Sequence, residues 1–176
     1  MKPVAEMTLA ELAACVSSHL KSAGIQAVLS GGACVSIYSS NAYQSYDLDF
    51  IENVPTPAKK LREIMAKLGF VPKNRYFVHP DTPYFVEFPA GPLSIGDEPT
   101  TGIVERNYET GVLTLISPTE CVKDRLAAYY HWNDRQSLRQ AEVVARCQSI
   151  DLAEVERWSR HEGKAAEFVE IRHLLA

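Results

Sequence analysis

Leu9, Leu12, Ala13, Val16 and Leu20 recur at the three- and four-residue spacing of one helical face. Thr8 and Glu11 supply a capping box ahead of them, and Gly24 can close the helix in a left-handed conformation. The run Ile25–Leu29 predicts a short strand, Ser30-Gly31-Gly32 breaks it, and the small apolar residues from Ala33 to Ser39 predict a short helix. After a polar loop, Ser40–Ser45, alternation predicts a strand over Tyr46–Ile51. Leu61, Ile64, Met65 and Leu68 mark a helix over Pro57–Leu68 that Gly69 stops. Strands follow at Arg75–Val78 and Tyr84–Phe88, turned at His79-Pro80-Asp81. After a passage rich in Pro and Gly come strands at Val104–Thr110 and Val112–Ile116, joined near Gly111.

From Ser117-Pro118 onward the strand signal ends. Helices are predicted at Pro118–Trp132, Arg135–Cys147, Asp151–His161 and Lys164–Leu175, with Asn133 or Asp134 and then Asp151 as caps. The pattern predicts an α/β (α+β) part over 1–116, with a mixed sheet flanked by helices, and a C-terminal helical part over 117–176.

At 176 residues and 46% hydrophobic content, the chain can bury a core without a disulfide or structural metal. Eighteen Lys and Arg against 22 Asp and Glu give a net charge of −4. That balance argues against a long nucleic-acid groove, which normally shows as a basic domain. Cys15, Cys34, Cys121 and Cys147 are scattered, with no zinc-type spacing, and are read as buried thiols of a reducing cytoplasm. No signal pattern and no bilayer-length apolar run are seen, so a soluble, cytoplasmic protein is expected, with no membrane partner. Lys59, Lys60, Arg62, Lys67, Lys73 and Arg75 have Glu63 as their local opponent. They are read as a solvated face, with a phosphate-attracting edge as the functional alternative.

Three features carry chemistry. Gly31-Gly32, between a strand and a helix start, lets backbone N–H groups approach a phosphate. Asp47 and Asp49 stand at i and i+2 on a strand, so both carboxylates project to one side. Two carboxylates held that close repel unless a cation sits between them, and Mg²⁺ or Mn²⁺ suits hard oxygen ligands. Glu87, alone among Tyr84-Phe85-Val86 and Phe88, either faces solvent or joins a charged site. His79 is read as a turn residue and Asp134 as a helix cap. Tyr38, Tyr43 and Tyr46 are read as packing residues rather than base-stacking ones.

The order strand, Gly-Gly, helix, Asp-x-Asp strand, acidic strand resembles the DNA polymerase β-like nucleotidyltransferase superfamily. The residues are Leu29-Ser30-Gly31-Gly32, fourteen positions from Ala33 to Tyr46, then Asp47-Leu48-Asp49-Phe50. The likeness is to the minimal bacterial branch that includes AbiEii-type toxins. It implies that Ser30, Gly31 and Gly32 contact phosphate and that Asp47 and Asp49 hold two Mg²⁺ ions, with Glu87 as the third carboxylate. It implies a basic residue against the triphosphate, for which Arg125 in Arg125-Leu126-Ala127 aligns better and Lys123 is the alternative. The gap between the motifs is slightly long, Tyr43 stands where the branch often has Arg, and Glu87 stands where Asp is common.

The implied activity is transfer of a nucleoside monophosphate from an NTP to a hydroxyl of an RNA end, a protein or a small molecule. A toxin role is one setting for such an enzyme. The other reading is a non-catalytic protein of the same fold acting as an antitoxin or regulatory partner. The helical tail suits a cleft wall, a protein partner or a homodimer surface alike.

Overall fold

The computed structural model describes residues 2–176. A turn of 3-10 helix at Val4–Glu6 precedes α1 (Leu9–Ser22), β1 (Ala27–Ser30), α2 (Gly31–Tyr38), β2 (Asp47–Glu52) and α3 (Ala58–Lys67). Three short strands follow: β3 (Val71–Lys73), β4 (Tyr76–Val78) and β5 (Phe85–Glu87). A two-residue pair, β6 (Ser94–Ile95) and β7 (Glu98–Pro99), leads to the hairpin β8 (Ile103–Tyr108) and β9 (Gly111–Ile116). The chain ends in α4 (Pro118–Trp132), α5 (Arg135–Cys147), α6 (Leu152–His161) and α7 (Ala165–Leu175). The class is α/β (α+β), with a mixed seven-stranded sheet in the order β3-β4-β5-β2-β1-β9-β8.

Local signals account for most of the boundaries. Thr8 Oγ1 accepts the Glu11 N–H at 3.3 Å while Glu11 Oε2 accepts the Thr8 N–H at 2.8 Å, so α1 starts on a complete capping box. Ser117 caps α4 ahead of Pro118, Asp134 caps α5 through the Gln136 and Ser137 N–H groups, and Asp151 caps α6. The strand β3 was not predicted: Pro72 and three exposed side chains give it no strand signature, and it forms because β4 offers a pairing edge. The helix α2 begins at Gly31, two residues earlier than the apolar pattern indicates, because Gly31 adopts a φ of 70° and turns the chain directly out of β1.

Strand β2 alternates strictly. Leu48 and Phe50 are fully buried, and their register partners Val86 on β5 and Leu29 on β1 are buried on the same face. Each such side chain stabilises the fold by roughly 1.5–3 kcal/mol. The face carrying Asp47, Asp49 and Ile51 is half-buried. Helix α1 packs on β1, β8 and β9, and α2 is held between the sheet and helices α4 and α5. Buried residues of 1–116 and of 117–176 belong to one apolar cluster. Tyr38 closes the join: it is fully buried, its hydroxyl donates to the Ile116 carbonyl at 2.5 Å, and its own carbonyl accepts from Gln148 Nε2 at 2.8 Å.

Three cysteines, Cys15, Cys34 and Cys121, are buried free thiols, and burial pushes all three up in pKa. Cys147 is exposed, contrary to expectation, because it lies at the end of α5 facing away from the core. Among the described residues no helix is long and apolar enough to cross a membrane.

Candidate functional site

The register of the central strands assembles the site. Ser30 on β1 pairs with Asp49 on β2, Asp49 pairs with Glu87 on β5, and Glu87 pairs with Tyr76 on β4. Register partners share a sheet face, so Ser30, Asp49, Glu87 and Tyr76 form one row across four adjacent strands. Asp47 lies two residues before Asp49, on the same face at the mouth of the sheet. The two parts of the chain that the sequence linked only by order are therefore side by side.

Gly31 fits against this row without space to spare. A Cβ placed on it would lie 2.8 Å from Asp49 Oδ2. A Cβ on Gly32 would lie 3.0 Å from Ser45 Oγ. The Ser45 hydroxyl in turn donates to Asp47 Oδ1. Both glycines are thus needed for close approach of the turn to the carboxylates, and Gly31 also for its positive φ.

The Asp49 carboxyl is pushed up to about 6. Burial is the main cause, followed by repulsion from Asp47 and Glu87, with Arg125 acting in the opposite direction. Glu87 Oε1 pairs with Arg75 Nε at 3.0 Å.

The second wall comes from α4. Arg125 donates from Nε and Nη2 to Asp124 Oδ2 at 3.1 and 2.5 Å, and from Nη1 to Gln140 Oε1 at 3.3 Å. Its charge, and that of Asp124, are both felt at Asp49. Lys123, the alternative to Arg125, is elsewhere. Its Nζ donates to Glu120 Oε1 at 2.9 Å and Glu154 Oε1 at 3.1 Å, and lies 5.9 Å from the Trp158 ring centre. The i, i+2 spacing of Lys123 and Arg125 on a helix sends them to different faces, so one of the two had to leave the site.

Ser30, Gly31, Gly32, Asp47, Asp49, Glu87 and Arg125 are brought to one region; Lys123 is not. Among the described residues, no group of three or more Asp, Glu, His or Cys side chains is arranged as a ready metal cage. Backbone register sets the three carboxylates side by side, while the side chains of Asp47 and Glu87 turn to Ser45 and Arg75. The donor set fits a hard divalent cation: its oxygens are all carboxylate, and the Asp49 carboxyl is held up first by burial and then by repulsion from Asp47 and Glu87.

The site lies on an open sheet face. A cavity of about 390 Å³ opens at the opposite end of β1, lined by Lys21, Gly24, Gln26, Asn53, Glu105 and Thr114 among others, and none of the three carboxylates lines it. The cavity and the charged row are thus separate features of the sheet.

Two residues of the site escaped sequence reasoning. Asp124, which pairs with Arg125 on α4, carries no spacing signal that ties it to the aspartates of β2. Arg75 appeared only within a run of basic residues; its place two strands from Asp49 follows from the β4–β5 register, which a sequence does not display. His79 serves as a turn residue, as read: its Nδ1 accepts the Asp81 N–H at 3.1 Å. Comparison with protein-family models, with curated proteins and with solved structures returned no match for this chain.

Proposed function

We propose that the chain is a metal-dependent nucleotidyltransferase that moves a nucleoside monophosphate from an NTP to an acceptor hydroxyl. The observation that carries this reading is the row Ser30–Asp49–Glu87 across adjacent strands, with Gly31 pressed against Asp49 at the start of α2. Nucleotidyl transfer needs a carboxylate set for hard cations beside a backbone turn that accepts phosphate, and the row supplies both. In the reaction the acceptor oxygen forms a bond to the α-phosphorus, the bond from that phosphorus to the β-phosphate bridge breaks, pyrophosphate leaves and the hydroxyl proton is lost.

Asp47, Asp49 and Glu87 would hold Mg²⁺ or Mn²⁺. When bound, such a cation neutralises the triphosphate and lowers the pKa of the acceptor hydroxyl. The protein's own residues supply placement. The Gly31 and Gly32 backbone would face the phosphates at the positive end of α2, with the Ser30 hydroxyl next in the row. Arg125, held in plane by Asp124 and Gln140, presents a fixed positive charge from the opposite wall. With an open face and a net charge of −4, the acceptor is an RNA end, a protein side chain or a small molecule rather than a long duplex.

A second reading is a non-catalytic protein of the same architecture serving as a regulatory or antitoxin partner. The pairing of Asp47 with Ser45 and of Glu87 with Arg75 favours it, since both carboxylates already have protein partners. Calorimetric titration of each NTP with Mg²⁺ decides between them. Nucleotidyl transfer requires binding in the wild type that disappears in the Asp47→Asn, Asp49→Asn double variant. Absence of binding at millimolar nucleotide, or binding that survives both substitutions, overturns the metal-site assignment.

A further inference from the structure

Arg75 carries the one basic side chain that, among the described residues, forms an ion pair with any of the three carboxylates. It follows Asn74, whose φ of 55° turns the chain between β3 and β4. Its guanidinium carbon lies 4.9 Å from the centre of the Tyr76 ring. Tyr76 is the register partner of Glu87, and Glu87 of Asp49, so the hairpin delivers a cation to the end of the acidic row.

The ion pair is lopsided. The Arg75 side chain is 72% exposed and that of Glu87 19%. A pair with so exposed a partner is weakly held, because water competes for the guanidinium at every moment. The carboxylate is the scarce component: whatever cation takes it must displace Arg75. Arg125 differs, since Asp124 and Gln140 engage its whole fork. A guanidinium is also the side chain best shaped for a phosphate, through two parallel N–H donors.

Resting on the nucleotidyltransferase reading, we propose that Arg75 is a binding residue for the NTP polyphosphate, kept on Glu87 until a divalent cation displaces it. In the free protein Arg75 is the internal counterion of Glu87. A cation on the carboxylates repels the guanidinium. The Tyr76 ring retains it at the rim, where the triphosphate brings the opposite charge. The exchange conserves pairing: Glu87 passes from arginine to metal, and arginine from carboxylate to phosphate.

This exchange predicts effects of opposite sign from one substitution. Free Mn²⁺ is followed by its EPR signal during titration of wild type, Arg75→Gln and Glu87→Gln, each alone and with a non-hydrolysable ATP analogue. Arg75→Gln removes a competitor and binds Mn²⁺ alone about two- to fivefold more tightly, the worth of an exposed ion pair. The same variant binds the Mn²⁺–analogue complex about tenfold more weakly, the worth of a charge-assisted hydrogen bond to phosphate. Glu87→Gln weakens both. Equal shifts in one direction, or analogue binding unchanged in Arg75→Gln, overturn the proposal. Wild type that binds both ligands, with loss in the Asp47→Asn, Asp49→Asn variant and no change in Arg75→Gln, overturns the role of Arg75 alone. Wild type that binds neither Mn²⁺ nor the complex overturns the metal reading, and the role of Arg75 with it.

Discussion

Asp49→Asn should make the metal-free protein more stable at neutral pH, and the gain should vanish in acid. The carboxyl moves from an ordinary 3.8 to about 6 on folding. The direction is that of an acid whose ionised form the fold disfavours, so the unfolded state releases its proton first. Below about pH 4 both states are protonated and the site costs nothing. Between about pH 4 and 6, where the unfolded carboxyl is ionised and the folded one still holds its proton, the penalty grows, and above 6 it is complete. The full shift corresponds to about 3 kcal/mol, and the partial exposure of Asp49 reduces the expected value to about 1–2 kcal/mol. Asparagine keeps the shape, fills the space beside Gly31 equally and removes the charge. For a chain of this size the gain is a rise of roughly 2–8 °C in melting temperature. Urea unfolding of wild type and variant in chelator at pH 4, 6 and 7.5 measures it as a difference, so carboxylates remote from the row cancel and the relief of Asp47 and Glu87 is part of the gain. A variant less stable than wild type at pH 7.5, or a gain that does not shrink by pH 4, refutes the account of a carboxyl held up by burial and by its acidic neighbours. Adding Mn²⁺ should then reverse the order, because cation binding stabilises only the chain that retains its carboxylates.

Lys123→Ala should destabilise the protein by about 3–5 kcal/mol, the usual cost of leaving a buried ion pair half-made. It strands the buried Glu120, while Glu154 keeps Arg157, and would be read from the urea midpoint; lost nucleotide affinity at unchanged stability would instead return Lys123 to the site. Gly31→Ala and Gly24→Ala separate backbone strain from contact. Their φ values are 70° and 76°, so each incurs about 1–2 kcal/mol of left-handed strain, but only Gly31 has Asp49 within reach of the new Cβ. Gly31→Ala should therefore lose Mn²⁺ affinity while Gly24→Ala retains it, and equal affinities would dismiss the close approach.

Much of this architecture was written in local patterns. The helical stripe behind Thr8, the alternation over Tyr46–Ile51 and the caps at Ser117, Asp134 and Asp151 all act within a few residues, and these elements lie within a residue or two of where the patterns place them, β2 running over Asp47–Glu52. The omissions are non-local. Strand β3 is defined by its partner, not by its own exposed Val71-Pro72-Lys73. The proximity of Arg75 to Glu87 depends on a hairpin register, and the removal of Lys123 from the site depends on Glu154, 31 residues away. For the candidate site, residue types and spacing singled out the two aspartates and Gly31-Gly32, and the structure sets Gly31 against Asp49. Which carboxylates already have partners is a question of side-chain direction, and only the folded chain answers it.

The clamp on Tyr38 has a consequence for synthesis. Helix α2 buries Ala33, Cys34, Val35 and Tyr38 against partners that lie far later in the chain: Ile116 on β9, then α4 and α5 up to Gln148. A ribosome delivers those partners last. Until about two-thirds of the chain has emerged, β1 lacks its β9 neighbour, and until about five-sixths has emerged α2 lacks the cover of α4 and α5. Chaperone protection or aggregation during translation should centre on the segment from β1 to β2.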